Sequence, residues 1–218
     1  MALASGILAR GPWAPADIEV EWGEEPFSPP PDVTDEADRA LAELRGRGSP
    51  SHDGLAARLR GFRCQDGKLH LDCEPVRWAL RLLDGGASQS LSAMCVVRSF
   101  DGSWLAGRRA AWLATWAERW ALGAAGSVEV GENPAETLTR ELTEEWSVTA
   151  ESLSVEALVK LPSGLVSVVG MAWLPEGATV TPDAEHDEFA WWPPNPEQWP
   201  AHADAPLRRV ADLLTASD

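Results

Sequence analysis

Three glutamates, Glu141, Glu144 and Glu145, stand beside Arg140 in the stretch GSVEVGENPAETLTRELTEEWSV (residues 126–148), which holds six glutamates and a single arginine. On a helix the spacing i, i+3, i+4 gathers these three carboxylates on one patch. Like charges at such distances cost roughly 0.2–0.5 kcal/mol per pair when exposed, and more in dry surroundings, so the arrangement gains the fold nothing. Arg140 lies four residues before Glu144 and can orient that carboxylate without neutralising the group. The remaining charge calls for hard cations. Clustered carboxylate oxygens suit Mg²⁺ or Mn²⁺, which bind through one or two acids and keep waters that a phosphate can displace.

The helix that must carry these groups is written into the same stretch. Asn133 as a side-chain cap, Pro134 at the first helical position and Glu136 three residues after the cap predict a helix from Pro134 to about Trp146. Ala135, Leu138, Leu142 and Trp146 then share one apolar stripe that packs against strands. Glycines in the preceding GAAGSVEVGE let the backbone turn tightly and present a carbonyl to the carboxylates. The strands are expected at LSAMCVVRS and SWLAGRR, around the turn FDG, and at LSVEALVKL and LVSVVGMAWL, joined by PSG. The segment APLRRVADLLTA has helical spacing at Leu207, Val210, Leu213 and Leu214. The pattern is α+β, without an internal repeat.

The first part of the chain reads differently. Residues 1–33 are Pro-rich, with PFSPPPD as an extended connector and one candidate strand at IEVEW. TDEADRALAELRGRG predicts a helix capped by Thr34, and FRCQDGKLHLDCEPV a hairpin around Asp66-Gly67. A short helix is expected around VRWALRLLDGG. This divides the chain into a small α+β module at 1–88 and a second domain at 89–218.

Composition narrows the function classes. The chain has 218 residues, 44% of them hydrophobic and 24% charged, the proportions of a globular protein with a core. A formal net charge of −16 argues against gripping a nucleic acid duplex. There is no long apolar run and no basic leader in MALASGILARGPWAP, so the reading is cytoplasmic and without membrane partners. Cys64, Cys73 and Cys95 form no CxxC pair and are expected to be reduced. Aromatic usage is lopsided, with twelve Trp, four Phe and no Tyr. These rings pack core and loop edges or stack on a base or sugar, and Trp120 in WLATWAERW is the candidate for stacking.

The acidic stretch resembles the Nudix box, G-x5-E-x7-R-E-U-x-E-E-x-G-U, where U is a bulky aliphatic residue. Gly126, Glu132, Arg140, Glu141, Leu142, Glu144, Glu145 and Val148 fall on its positions in register, and Ser147 replaces the last glycine. The resemblance implies an α/β/α sandwich, a mixed sheet flanked by helices, and a hydrolase that cleaves a nucleoside diphosphate linked to another moiety. It implies Glu144 and Glu145 as metal ligands, Glu145 the most critical, and Glu141 as ligand or general base. Arg140 would be the orienting partner, and the Ala125 or Gly126 carbonyl a further ligand. Glu132 would brace the loop. Metal ions, Mg²⁺ or Mn²⁺, would neutralise the diphosphate and activate an attacking water. Ser147 stands where a left-handed residue ends the helix, a cost on the order of 1 kcal/mol that removes no ligand.

Outside the box the candidates are less sharply defined. Alternation sends Arg108 and Arg109 to opposite faces, so one of them could reach the diphosphate while the other stays in solvent. Arg119 is a weaker candidate. DAEHDEF (183–189) lies where many Nudix enzymes carry an extra catalytic acid, which makes Glu185 and Glu188 candidates, with His186 as a proton shuttle or a bystander. Residues 54–98 are similar to the extension preceding the box in some Nudix proteins, including UDP-sugar pyrophosphatases. The substrate class is therefore a nucleoside diphosphate derivative such as a nucleotide sugar, ADP-ribose or dinucleotide; a homodimer is left open. Two other readings stand beside it: a non-catalytic nucleotide-sensing module, and a diphosphate isomerase using Cys95.

Overall fold

The computed structural model describes residues 6–49, 53–83, 88–113 and 115–215. In chain order the elements are β1 (Gly6–Trp13), β2 (Ile18–Trp22), α1 (Pro31–Gly46), β3 (Leu55–Gln65), β4 (Lys68–Arg77), β5 (Leu91–Arg98), β6 (Trp104–Arg109), β7 (Trp120–Leu122), β8 (Ala124–Ser127), α2 (Pro134–Trp146), β9 (Ser152–Lys160), β10 (Val166–Trp173), β11 (His186–Trp192) and α3 (Ala205–Thr215). A 3₁₀ helix at Trp78–Leu82 stands where a short helix was expected after the hairpin.

The main sheet runs β1-β9-β10-β5-β6-β11, with β7 beside β6 and β8 beside β5. β10 and β5 pair in parallel and the other pairs are antiparallel, so the sheet is mixed, as the α+β reading required. Alternation gives it two buried faces. On one, Ala93, Cys95, Val97 and Leu105 pack against Leu138, Leu142 and Trp146 of α2. On the other, Val96, Trp104, Ala106 and Trp192 pack against Trp199, Leu207 and Ala211, the last two from α3. The result is the helix–sheet–helix layering expected of the fold.

A second sheet, β2-β4-β3, covers the α2 side and contributes Ile18, Leu59, Leu69 and Leu71 to the same core. The β3–β4 turn has Asp66 at φ 53° and Gly67 at φ 77°, the paired left-handed residues that close a two-residue hairpin. β3 also reaches the loop before α2, where the Ala57 N–H donates to the Val128 carbonyl at 2.8 Å.

Two local expectations are corrected. The first helix starts at Pro31, three residues before Thr34, whose hydroxyl instead donates to the Pro30 carbonyl at 3.3 Å. Proline at the first helical position misses no N–H, which makes the early start favourable. Residues 6–13, read as irregular, form β1 on the outer edge of the main sheet against β9. The strand therefore comes from the segment assigned to the N-terminal module, while a boundary near residue 88 stays our proposal for where the second unit begins.

The α2 termini match their sequence signals. Asn133 and Glu136 form a reciprocal capping box, with Ala135 N–H donating to Asn133 Oδ1 at 2.9 Å and Asn133 N–H to Glu136 Oε2 at 3.0 Å. At the other end Ser147 is left-handed, φ 52° and ψ 38°, and its N–H donates to the Thr143 carbonyl at 3.0 Å. A β-carbon is unfavourable in that conformation, so Ser147→Gly is expected to stabilise the protein by about 1 kcal/mol, read as a raised midpoint of thermal unfolding. An unchanged or lowered midpoint would show that Ser147 carries no strain.

Candidate metal and catalytic site

α2 lies across β8, and the site is the seam between them. Arg140 is its hub. Its Nε and Nη2 donate to Glu132 Oε1 and Oε2 at 2.9 and 3.1 Å, a two-pronged grip. Nη1 reaches Glu141 Oε1 at 2.6 Å and Glu144 Oε2 at 3.1 Å, and Nη2 also donates to the Ser127 carbonyl at 3.2 Å. Glu132, held by the Glu129 N–H and the Thr137 hydroxyl as well, stays below the usual carboxylate range although burial alone would raise it. Its part is to fix Arg140 and the loop.

Glu141 faces Gly126. A β-carbon at position 126 would overlap the Glu141 carboxylate, so glycine there lets the β8 backbone approach the acid. Burial pushes the Glu141 carboxyl up, against the opposing pull of Arg140. Glu144 is the exposed member, its side chain 59% accessible.

Glu145 is different in kind. Its side chain is 4% exposed; Oε1 accepts from the Ala125 N–H at 3.0 Å, while Oε2 is buried with no hydrogen-bond partner. Burial pushes this carboxyl up to about 9. Facing Oε2 at 3.6 Å, beyond hydrogen-bond length, is His186 Nε2, also buried and without a partner. The imidazole lies against the Trp146 ring at 4.4 Å, and its Nδ1 is 3.3 Å from Asp183 Oδ1. Gly107 makes room for it, since a β-carbon there would collide with the imidazole and Trp146. Burial lowers the His186 pKa, with Asp183 opposing, which favours the neutral ring.

The remaining candidates divide by sheet face. Arg109 lies on the α2 face, its side chain 13% exposed, with Nη2 3.4 Å from Glu185 Oε2. Glu185 is raised by burial and lies within electrostatic reach of both Glu141 and Glu145. Glu188 is exposed on β11 and forms no contact with the box acids. A register shift between His186 and Glu188 breaks simple alternation there, and Glu185 takes the place beside the box. Arg108 pairs with Glu118 at 3.5 Å and Asp187 at 3.7 Å. Trp120, its partner across the β6–β7 pair, stacks on His202 at 4.8 Å and packs with the α3-side core. The structure therefore brings Arg109 and Glu185 to the carboxylates and leaves Arg108, Trp120 and Glu188 elsewhere. Arg119 lies over the Trp116 ring and pairs with Asp204.

These donors fit a hard dication. The buried Glu145 oxygen without a partner, the Glu141 carboxylate in its glycine cradle and the exposed Glu144 converge from one helix flank. Among the described residues no ready-made cage of three His, Cys, Asp or Glu side chains exists, and Arg140 bonds to two of the acids. Mg²⁺ needs no such cage, since it binds through one or two carboxylates plus water and phosphate oxygens. Cys95, by contrast, is fully buried in the core beneath the site and burial pushes its thiol up to about 12. That disfavours the thiolate an isomerase mechanism would use.

The sequence reading left His186 open as shuttle or bystander; its place against Glu145 depends on packing between distant segments. Among the described residues, no helix is long and apolar enough to cross a membrane.

A NUDIX domain family profile matches residues 89–212. Among solved structures, the MutT protein of Methanosarcina mazei Go1 is 23% identical, over 58% of this chain and 96% of that one, with a TM-score of 0.45. The NUDIX domain of Shewanella oneidensis NrtR, complexed with ADP ribose, is 19% identical over 58% and 89%, TM-score 0.46. The C. elegans Ap4A hydrolase binary complex is 21% identical over 56% and 92%, TM-score 0.44. No curated protein matches the chain.

Proposed function

Because the chain belongs to the Nudix family, hydrolases acting on phosphoric anhydride bonds, we propose that it cleaves the diphosphate linkage of a nucleoside diphosphate derivative in an Mg²⁺- or Mn²⁺-dependent reaction. A nucleotide sugar, ADP-ribose or a dinucleotide is the substrate class. The observation that carries this reading is the buried, unpartnered Glu145 oxygen beside Glu141 on the same helix flank. A buried carboxylate oxygen with no donor is costly unless a proton or a cation answers it.

Glu141, Glu144 and Glu145, with the Gly126 carbonyl, would hold the metal, which when bound would neutralise diphosphate charge and acidify an attacking water. The protein's own groups do the rest. Arg140 locks Glu141 and Glu144 in place and is itself gripped by Glu132. Glu185, its carboxyl raised by burial and placed beside Arg109 within reach of the box acids, is the candidate base from outside the box. Arg109 turns its guanidinium toward the same face and would meet substrate phosphate. The full set of acids disfavours a purely sensing role, which would not require it.

The test is a product assay with Mg²⁺ over UDP-sugars, ADP-ribose, dinucleotides and nucleoside triphosphates. Release of a nucleoside monophosphate from one diphosphate class, abolished by a chelator, is the expected result. Turnover of triphosphates alone would overturn the substrate class, and silence across the panel would overturn the hydrolytic reading.

A further inference from the structure

Ahead of the Nudix unit, the 3₁₀ helix Trp78–Leu82 is fixed against the box loop. Asp53 Oδ1 accepts from the Ala79 N–H at 3.0 Å, Trp78 N–H donates to the Gly54 carbonyl at 2.9 Å, and β3 is bonded to the loop through Ala57 and Val128. From this platform Arg81 extends toward α2. Its Nη1 donates to the Ser127 hydroxyl, on the residue whose carbonyl accepts from Arg140. Its guanidinium lies 5.4 Å from the centre of the Trp78 ring.

Arg81 and Arg109 lie close enough to repel one another, and Glu141 attracts Arg81. Among the described residues no carboxylate forms an ion pair with Arg81, while Arg109 pairs with Glu185 at 3.4 Å and its Nε donates to the Thr115 carbonyl. Two guanidiniums brought together beside a metal-binding carboxylate group, one of them without an acid, leave positive charge that an anion would balance. Burial and the neighbouring Arg109 both lower the Arg81 pKa, and Glu141 opposes them.

We propose that Arg81, from the segment preceding the Nudix unit, binds a phosphate of the substrate and forms with Arg109 a clamp across the diphosphate from the box carboxylates. This rests on the diphosphate reading above. It gives the N-terminal segment a part in the site: to deliver one arm of the clamp. Arginine suits the task because its planar fork engages phosphate oxygens in pairs, which a lysine point charge does not reproduce.

The test is calorimetric titration of the full chain with inorganic pyrophosphate in Mg²⁺, comparing wild type with Arg81→Gln, Arg81→Lys and Ser127→Ala. The expected result is binding weakened at least tenfold in Arg81→Gln and partly recovered in Arg81→Lys, with circular dichroism unchanged. Ser127→Ala, which removes the anchor and keeps the cation, should weaken binding less than Arg81→Gln. Pyrophosphate binding by Arg81→Gln equal to wild type overturns the proposal, and so does wild type that fails to bind. Equal losses in Ser127→Ala and Arg81→Gln also overturn it, since Arg81 would then only brace the loop. The substrate panel fails separately: an inert enzyme that still binds pyrophosphate through Arg81 keeps the clamp and loses the hydrolytic reading, whereas an active enzyme indifferent to Arg81→Gln does the reverse.

Discussion

Glu145→Gln is expected to lower kcat by about 10³-fold with little change in fold, because a ligand that stabilises transition-state charge is worth several kcal/mol. The variant keeps an oxygen for the Ala125 N–H and the volume of the side chain, so the seam between α2 and β8 has no reason to open. Stability without metal should move the other way. Burial raises the folded-state carboxyl from its ordinary 4.5 to about 9, so the folded protein holds a proton that the unfolded chain releases above the lower value. For an acid whose pKa rises on folding, stability therefore falls as pH increases between those two values. Glutamine has no proton to hold and escapes this loss. Metal-free Glu145→Gln should thus unfold no earlier than wild type at pH 8, while losing the thermal stabilisation that Mg²⁺ gives wild type. Full activity in the variant would sink the metal-site assignment; a lower midpoint without metal would show that Glu145 is structural.

Gly126→Ala is the second large effect. The added β-carbon would occupy the space of the Glu141 carboxylate, and the rigid backbone of β8, paired to β5 through Ala93, leaves the acid as the group that must move. Displacing a positioned catalytic group by about 1 Å costs on the order of 10²-fold in rate. Overpacking alone costs about 1–3 kcal/mol, so the variant should still fold. The measurement is kcat at saturating Mg²⁺ together with the unfolding midpoint. An alanine enzyme as active as wild type would mean that Glu141 is not held against the strand during the reaction.

Much of this was legible because it is local. The α2 cap, its proline start and the run of box residues lie within a single stretch of chain, and short-range geometry on a helix decides where they point. The Asp66-Gly67 hairpin was readable for the same reason, both residues taking left-handed backbone conformations. β1 was not, since Gly11 and Pro12 interrupt its alternation and its partner β9 is remote in sequence. The choice between Arg108 and Arg109 could be framed from alternation and not decided, because only the packing of α2 says which sheet face holds the site. Glu188 looked as well placed as Glu185 until the register shift at the start of β11 turned the strand. Arg81 carried no signal of its own in the sequence: an arginine in a short apolar helix becomes significant only when the second sheet presses it against the box loop.

The position of β1 has a further consequence for how the chain behaves among its own copies. β9 bonds to β10 on one side and to β1 on the other. Removing residues 6–13 would leave the N–H and C=O groups of Ser152–Lys160 open along a strand that carries Val155, Ala157 and Leu158. Such an edge templates strand addition from a neighbouring molecule. The first strand thus covers the β9 edge by intramolecular pairing and takes its place as the outer edge of the sheet.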